Sequence, residues 1–127
     1  MADTQKADTQ KLVFMVLHGP DHPEHATIPF VMGCAALASD VEVVLGFQAD
    51  GVELVRVGVA DGIQAPGFPP LAKLLRDFRE LGGSLLVCAP CMNSRGITAA
   101  DLIEGTEIVA AGRFVAEITS ATNSLVY

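Results

Sequence analysis

With 127 residues, half of them hydrophobic and only 18% charged, the chain has enough material for one cored domain and too little for two, and it is too apolar for a disordered polymer. Its net charge of −7, from 15 Asp+Glu against 8 Lys+Arg, excludes the basic patch that phosphate backbones require and disfavours an anionic membrane surface. Neither nucleic acid nor membrane is an expected partner.

Residues 2–6 and 7–11 repeat the pentapeptide Ala-Asp-Thr-Gln-Lys. This start is polar and lacks the apolar centre of a signal peptide, and no apolar run reaches membrane-span length. We therefore expect a polar tail over residues 1–10, a single domain over 11–127 and a cytoplasmic protein. Its three cysteines would there be reduced, so thiol chemistry or metal binding outranks a structural disulfide.

Leu12 to Leu17 is a continuous apolar run of strand length, closed by His18-Gly19-Pro20-Asp21. Asp21 and Glu24 flank Pro23 in a capping-box pattern. The following helix should carry Phe30, Val31, Cys34 and Leu37 inward, with Pro29 forcing a kink or a later start. Val41 to Gly46 reads as a second buried strand, and Val52 to Val57 as a short helix opening on Asp50. The proline- and glycine-rich segment 58–70 reads as a surface loop that covers a site or meets a partner through Phe68. Leu71, Leu74, Leu75, Phe78 and Leu81 have helical spacing, and Gly82 stops that helix.

Leu85-Leu86-Val87 then forms a strand that runs straight into Cys88-Ala89-Pro90-Cys91 and the polar group Met92-Asn93-Ser94-Arg95-Gly96. A strand end followed by a helix start is where open α/β sheets place their chemistry. Unpaired N–H groups there, with the charge of Arg95, favour a thiolate. Thr98 to Gly105 reads as a capped helical segment, Glu107 to Ala111 as a fourth strand, and 112–120 as a helix with Phe114, Val115 and Ile118 inward. Ser124 to Tyr127 is a last short strand. Strands alternating with helices predict a three-layer α/β/α sandwich on a mainly parallel sheet of about five strands.

The chain resembles the DsrE/DsrF-like (TusD/DsrE-type) sulfur-relay family in three blocks: His18 to Thr27, Asp50 to Leu54, and Val87 to Gly96 with Asp101 to Gly105. The resemblance implies a Rossmann-like fold, a homotrimer or homohexamer, and a persulfide carried between sulfur donor and acceptor proteins. Cys88 matches the sulfur-carrying position. Cys91 matches a second cysteine of many single-gene members and is missing from the hetero-hexameric ones.

The working pair is thus Cys88 and Cys91, as thiols that accept and pass on sulfane sulfur. Arg95 and Asn93 are candidates for holding the charged sulfur, although capping alone explains Asn93 and Ser94. His18, at the end of the first strand, either orients a ligand in the same crevice or closes a turn. His22 and His25 belong to the solvated helix start, and Cys34 to core packing. A zinc site would need two ligands beyond the cysteine pair, so no metal and no cofactor is expected. The competing function is a non-catalytic oligomeric module that binds a small ligand or a protein in the crevice.

Overall fold

Aliphatic runs without a polar alternate suit strands buried on both faces, and the chain uses them that way. The computed structural model describes residues 9–127; most of the expected tail, residues 1–8, lies outside the described residues, and the second pentapeptide ends on Lys11, the first residue of the first strand. The strands are β1 (Lys11–Val16), β2 (Glu42–Phe47), β3 (Ser84–Cys88), β4 (Thr106–Val109) and β5 (Asn123–Val126). They lie in the order β4-β3-β2-β1-β5, with every neighbouring pair parallel. Val13 pairs with Val44, Leu45 with Leu85, and Cys88 with Val109. All five strands therefore deliver their C-terminal ends to one edge of the sheet.

Among the described residues four α-helices accompany this sheet: α1 (Pro23–Ala38), α2 (Leu71–Glu80), α3 (Ala89–Ser94) and α4 (Ala111–Thr119). Successive strand residues face opposite sides, and β2 shows which helix takes which side. Phe47 meets Phe30 of α1 at 6.0 Å between ring centroids, and Phe30 meets Phe78 of α2 at 6.1 Å. Gly46, the next residue back, faces the other way: a Cβ there would stand 2.8 Å from the Phe114 ring of α4 and 2.9 Å from Met15 Sδ. The three-layer α/β/α sandwich follows, with α1 and α2 on one face and α4 on the other. Phe14, Phe30, Phe47, Phe78 and Leu45 are fully buried at its centre. Among the described residues no helix is long and apolar enough to cross a membrane.

Several local expectations give way. α1 begins at Pro23 on an uncapped His22 and runs through Pro29 without a later start. Proline at the first helical position presets the turn by itself, and the Asp21–Glu24 capping box does not form. The helix after β2 is a 3₁₀ segment, Ala49–Val55, that starts ahead of the expected position, and within Thr98 to Gly105 only Ala99–Asp101 is helical. That second segment does have its cap, a reciprocal Thr98–Asp101 box. Residues 58–70 are not a free surface loop: Ile63 and Ala65 are buried, Phe68 is half-buried, and the Ile63 carbonyl accepts the Leu71 N–H at 3.0 Å. Val115 points outward, 58% exposed, because α4 presents only Phe114 fully to the sheet.

Candidate functional site

Cys88 ends β3 and is also the residue from which α3 departs, its backbone still extended at φ −74° and ψ 117°. Pro90 stands in the first turn, where its missing N–H costs nothing. One turn on, Cys91 comes back over Cys88. The two thiols are free, Cys88 buried and Cys91 half-buried. Cys91 is the outer of the pair.

The loops that follow β1 and β2 close against it. Gly51 allows this on one side, since a Cβ there would overlap the Val16 carbonyl. Gly19 allows it on the other, where a Cβ would come within 2.6 Å of the Asp50 carbonyl oxygen. Ala49 is held at φ +50°, a left-handed conformation unusual for alanine. In that conformation its N–H donates to Cys91 Sγ at 3.3 Å. A strained backbone residue aimed at a sulfur is the kind of local cost that functional sites retain.

Arg95 does not reach for sulfur. Its Nη2 donates to Asp50 Oδ1 at 2.8 Å and its Nη1 to the Cys91 carbonyl at 3.2 Å. The Ser94 hydroxyl donates to that same carbonyl at 3.1 Å. Arg95 is therefore a strap from the end of α3 to the start of the 3₁₀ segment after β2, and the Asp50 hydrogen bond holds its guanidinium further toward the charged form. Asp50 escaped the sequence reading as a site residue. The signal was available, since a parallel sheet brings the loop after β2 to the edge that carries the cysteines.

Burial pushes the Cys88 thiol up, and hydrogen bonding to the Cys91 side chain adds to the rise. The Cys91 N–H and the Arg95 charge pull it down and are outweighed. This corrects, for Cys88, the expectation that the helix start and Arg95 favour a thiolate. Cys88 is 8% exposed, and a short helix start does not offset the desolvation of its anion.

His18 is drawn to other histidines: its ring centroid lies 5.0 Å from that of His22 and 4.8 Å from that of His25, and its buried Nδ1 has no hydrogen-bond partner. Asn93 is exposed on α3. Cys34 packs between α1 and α2, where its thiol donates to the Leu74 carbonyl at 3.5 Å and burial raises its pKa. Among the described residues no group of three or more His, Cys, Asp or Glu is placed to hold a metal ion. Asp21, Asp50 and Glu53 border a recess of about 260 Å³, with Asp50 paired to Arg95 and Glu53 to Arg56.

The DsrE/DsrF-like family matches residues 10–127. The uncharacterized protein MJ0760 of Methanocaldococcus jannaschii is 33% identical over 97 residues, which are 76% of this chain and 35% of that protein. The chain thus spans about a third of that relative's length. The uncharacterized protein MJ0989 of the same organism is 28% identical over 118 residues, 92% of this chain and 99% of its own. In fold, the chain is similar to the ychN protein from E. coli, with a TM-score of 0.78 at 23% identity, covering 94% of this chain and 100% of that one.

Proposed function

The chain belongs to the DsrE/DsrF-like family, and on that premise we propose that it is a sulfur carrier, or sulfurtransferase, holding sulfane sulfur as a persulfide on the Cys88–Cys91 pair. The observation that carries this reading is the arrangement of two free thiols at a strand end, the outer one taking an N–H from Ala49.

Sulfur enters at Cys91. That thiol is the more accessible, and its sulfur accepts the Ala49 N–H at 3.3 Å. The Cys91 thiolate attacks the outer sulfur of a donor persulfide; the donor's S–S bond breaks as the Cys91 S–S bond forms. The donor leaves as a thiolate and takes up the proton that Cys91 gave up, with no net oxidation. Cys88, held protonated by burial at rest, can take the sulfane sulfur in a second exchange, which accords with its family position. It gives up its proton as it attacks the outer sulfur; the Cys88 S–S bond forms as the Cys91 S–S bond breaks, and Cys91 leaves as the thiolate that takes up that proton. Delivery to an acceptor thiol reverses the first step.

The proposed partners are the sulfur donor and acceptor proteins between which the persulfide passes. The proposed working form is a cytoplasmic homotrimer or homohexamer. Intact-mass measurement after incubation with polysulfide tests the reading. The chain should gain mass in steps of one sulfur atom, Cys91→Ser should gain none, and Cys88→Ser should gain less. An unmodified wild-type chain, or a gain that survives loss of both cysteines, would overturn it.

A further inference from the structure

A protein with 15 acidic residues and 8 basic ones has carboxylates to spare for every cation. Lys11, Arg56, Lys73, Arg95 and Arg113 each have one within 3.0 Å. Among the described residues Arg76 and Arg79 have none. Both lie on α2, and both line the same groove, with Arg56 as a third guanidinium. Asp61 and Glu80 also border it yet pair with neither Arg76 nor Arg79.

The groove has a structural origin. α3, the helix on the way from β3 to β4, is only six residues long, so no full-length helix covers the outer flank of α2. That flank is the stripe Ala72, Leu75, Arg76, Arg79, at the three- and four-residue spacing of one helix face. The opposite wall is stitched together by backbone: the Ile103 N–H donates to the Val55 carbonyl at 2.9 Å, and the Val57 N–H to the Asp101 carbonyl at 2.8 Å. Between them is a cavity of about 480 Å³ whose apolar lining includes Ala72, Leu75 and Ile103. Gly105 closes in on the guanidinium: a Cβ there would stand 3.4 Å from Arg79 Nη2. The pull of a helix C-terminus on cations explains Arg79 in the last turn. It does not explain Arg76, or the convergence with Arg56.

The geometry points to a binding site for a small organic phosphate, its apolar body on the Ala72–Leu75–Ile103 surface and its oxygens on the guanidinium forks of Arg76 and Arg79. Arginine matches a phosphoryl group with paired, charge-assisted hydrogen bonds. The volume is that of ordinary small-molecule sites. Arg56 already serves Glu53 and adds charge at the mouth.

Phenyl phosphate is the probe, titrated into the full chain by calorimetry, with phenol and inorganic phosphate as the two halves of the molecule. Saturable binding of phenyl phosphate is expected, weaker for inorganic phosphate and absent for phenol. Arg76→Gln and Arg79→Gln should each weaken it about tenfold. Lys73→Gln, on the same helix but outside the groove lining, should leave it unchanged. All three side chains are exposed, so all three variants should fold, and thermal melts check that they do. The site is overturned by the absence of saturation, by binding indifferent to Arg76 and Arg79, or by an equal loss in Lys73→Gln, which marks diffuse attraction. It is overturned too if either arginine variant dissociates an oligomer while the wild type takes no phosphate, since the groove is then a subunit contact.

Discussion

At Cys88 the desolvation of a thiolate competes with an N–H and a guanidinium, and desolvation wins. Two of the upward influences come from Cys91, through its side-chain hydrogen bond and its charge. Cys91→Ala removes both and keeps the backbone N–H, so the Cys88 thiol should ionise at a lower pH in that variant, with burial still opposing it. Peptide-resolved iodoacetamide labelling across pH reads the midpoint directly. A midpoint that stays put or rises would show that the two sulfurs do not interact as described. The position of the pair at a strand end was legible in the sequence because the apolar run Leu85-Leu86-Val87 leads straight into C-x-x-C. What Arg95 does was not legible. Its partner Asp50 is 45 residues away, and the left-handed Ala49 that supplies the sulfur's N–H has no glycine to announce it.

Elements follow the apolar pattern wherever that pattern has one physical solution. α2 was readable because Leu71, Leu74, Leu75 and Phe78 are all buried as their spacing demands. The 58–70 segment is the surface loop its prolines and glycines announce, but its anchoring by buried Ile63 and Ala65 was not legible, because no periodic pattern marks them. Which strand residue must be small is decided only when layers meet, and Gly46 is that case. Gly46→Val drives side-chain atoms into the buried Phe114 ring and the Met15 thioether, and should cost about 1–3 kcal/mol. Gly112 lies in α4 with nothing within 4 Å of an added Cβ. Gly112→Ala should instead stabilise by about 0.5–1 kcal/mol through helix propensity. Urea midpoints for the two variants should therefore move in opposite directions, and a shared direction would contradict the packing of α4 on β2.

At the scale of the molecule, β5 returns to lie beside β1, an order no single sequence reveals because the helical connections permit either edge. The return is locked by backbone, with the Leu17 N–H on the Tyr127 carbonyl at 2.7 Å and the Tyr127 N–H on the Met15 carbonyl at 2.8 Å. It is locked also by Lys11, whose Nζ donates to Glu117 Oε1 at 2.6 Å. Hydrogen bonding to Lys11, then to Arg113, holds the Glu117 carboxyl below its usual range. A depressed carboxyl contributes fully above the ordinary carboxylate range and loses that contribution as pH falls through its lowered value. Glu117→Gln should thus cost about 1 kcal/mol at neutral pH, and chemical denaturation should find the gap to wild type closing in acid; a gap constant with pH would contradict the pairing. The central claim is that Cys88 and Cys91 hold transferable sulfur, and cyanolysis tests it most directly. Chain loaded with polysulfide and freed of excess reagent should release thiocyanate in proportion to protein when cyanide is added, and Cys91→Ser should release none. No thiocyanate from the wild type, or an undiminished yield from the doubly substituted Cys88→Ser/Cys91→Ser chain, would contradict it.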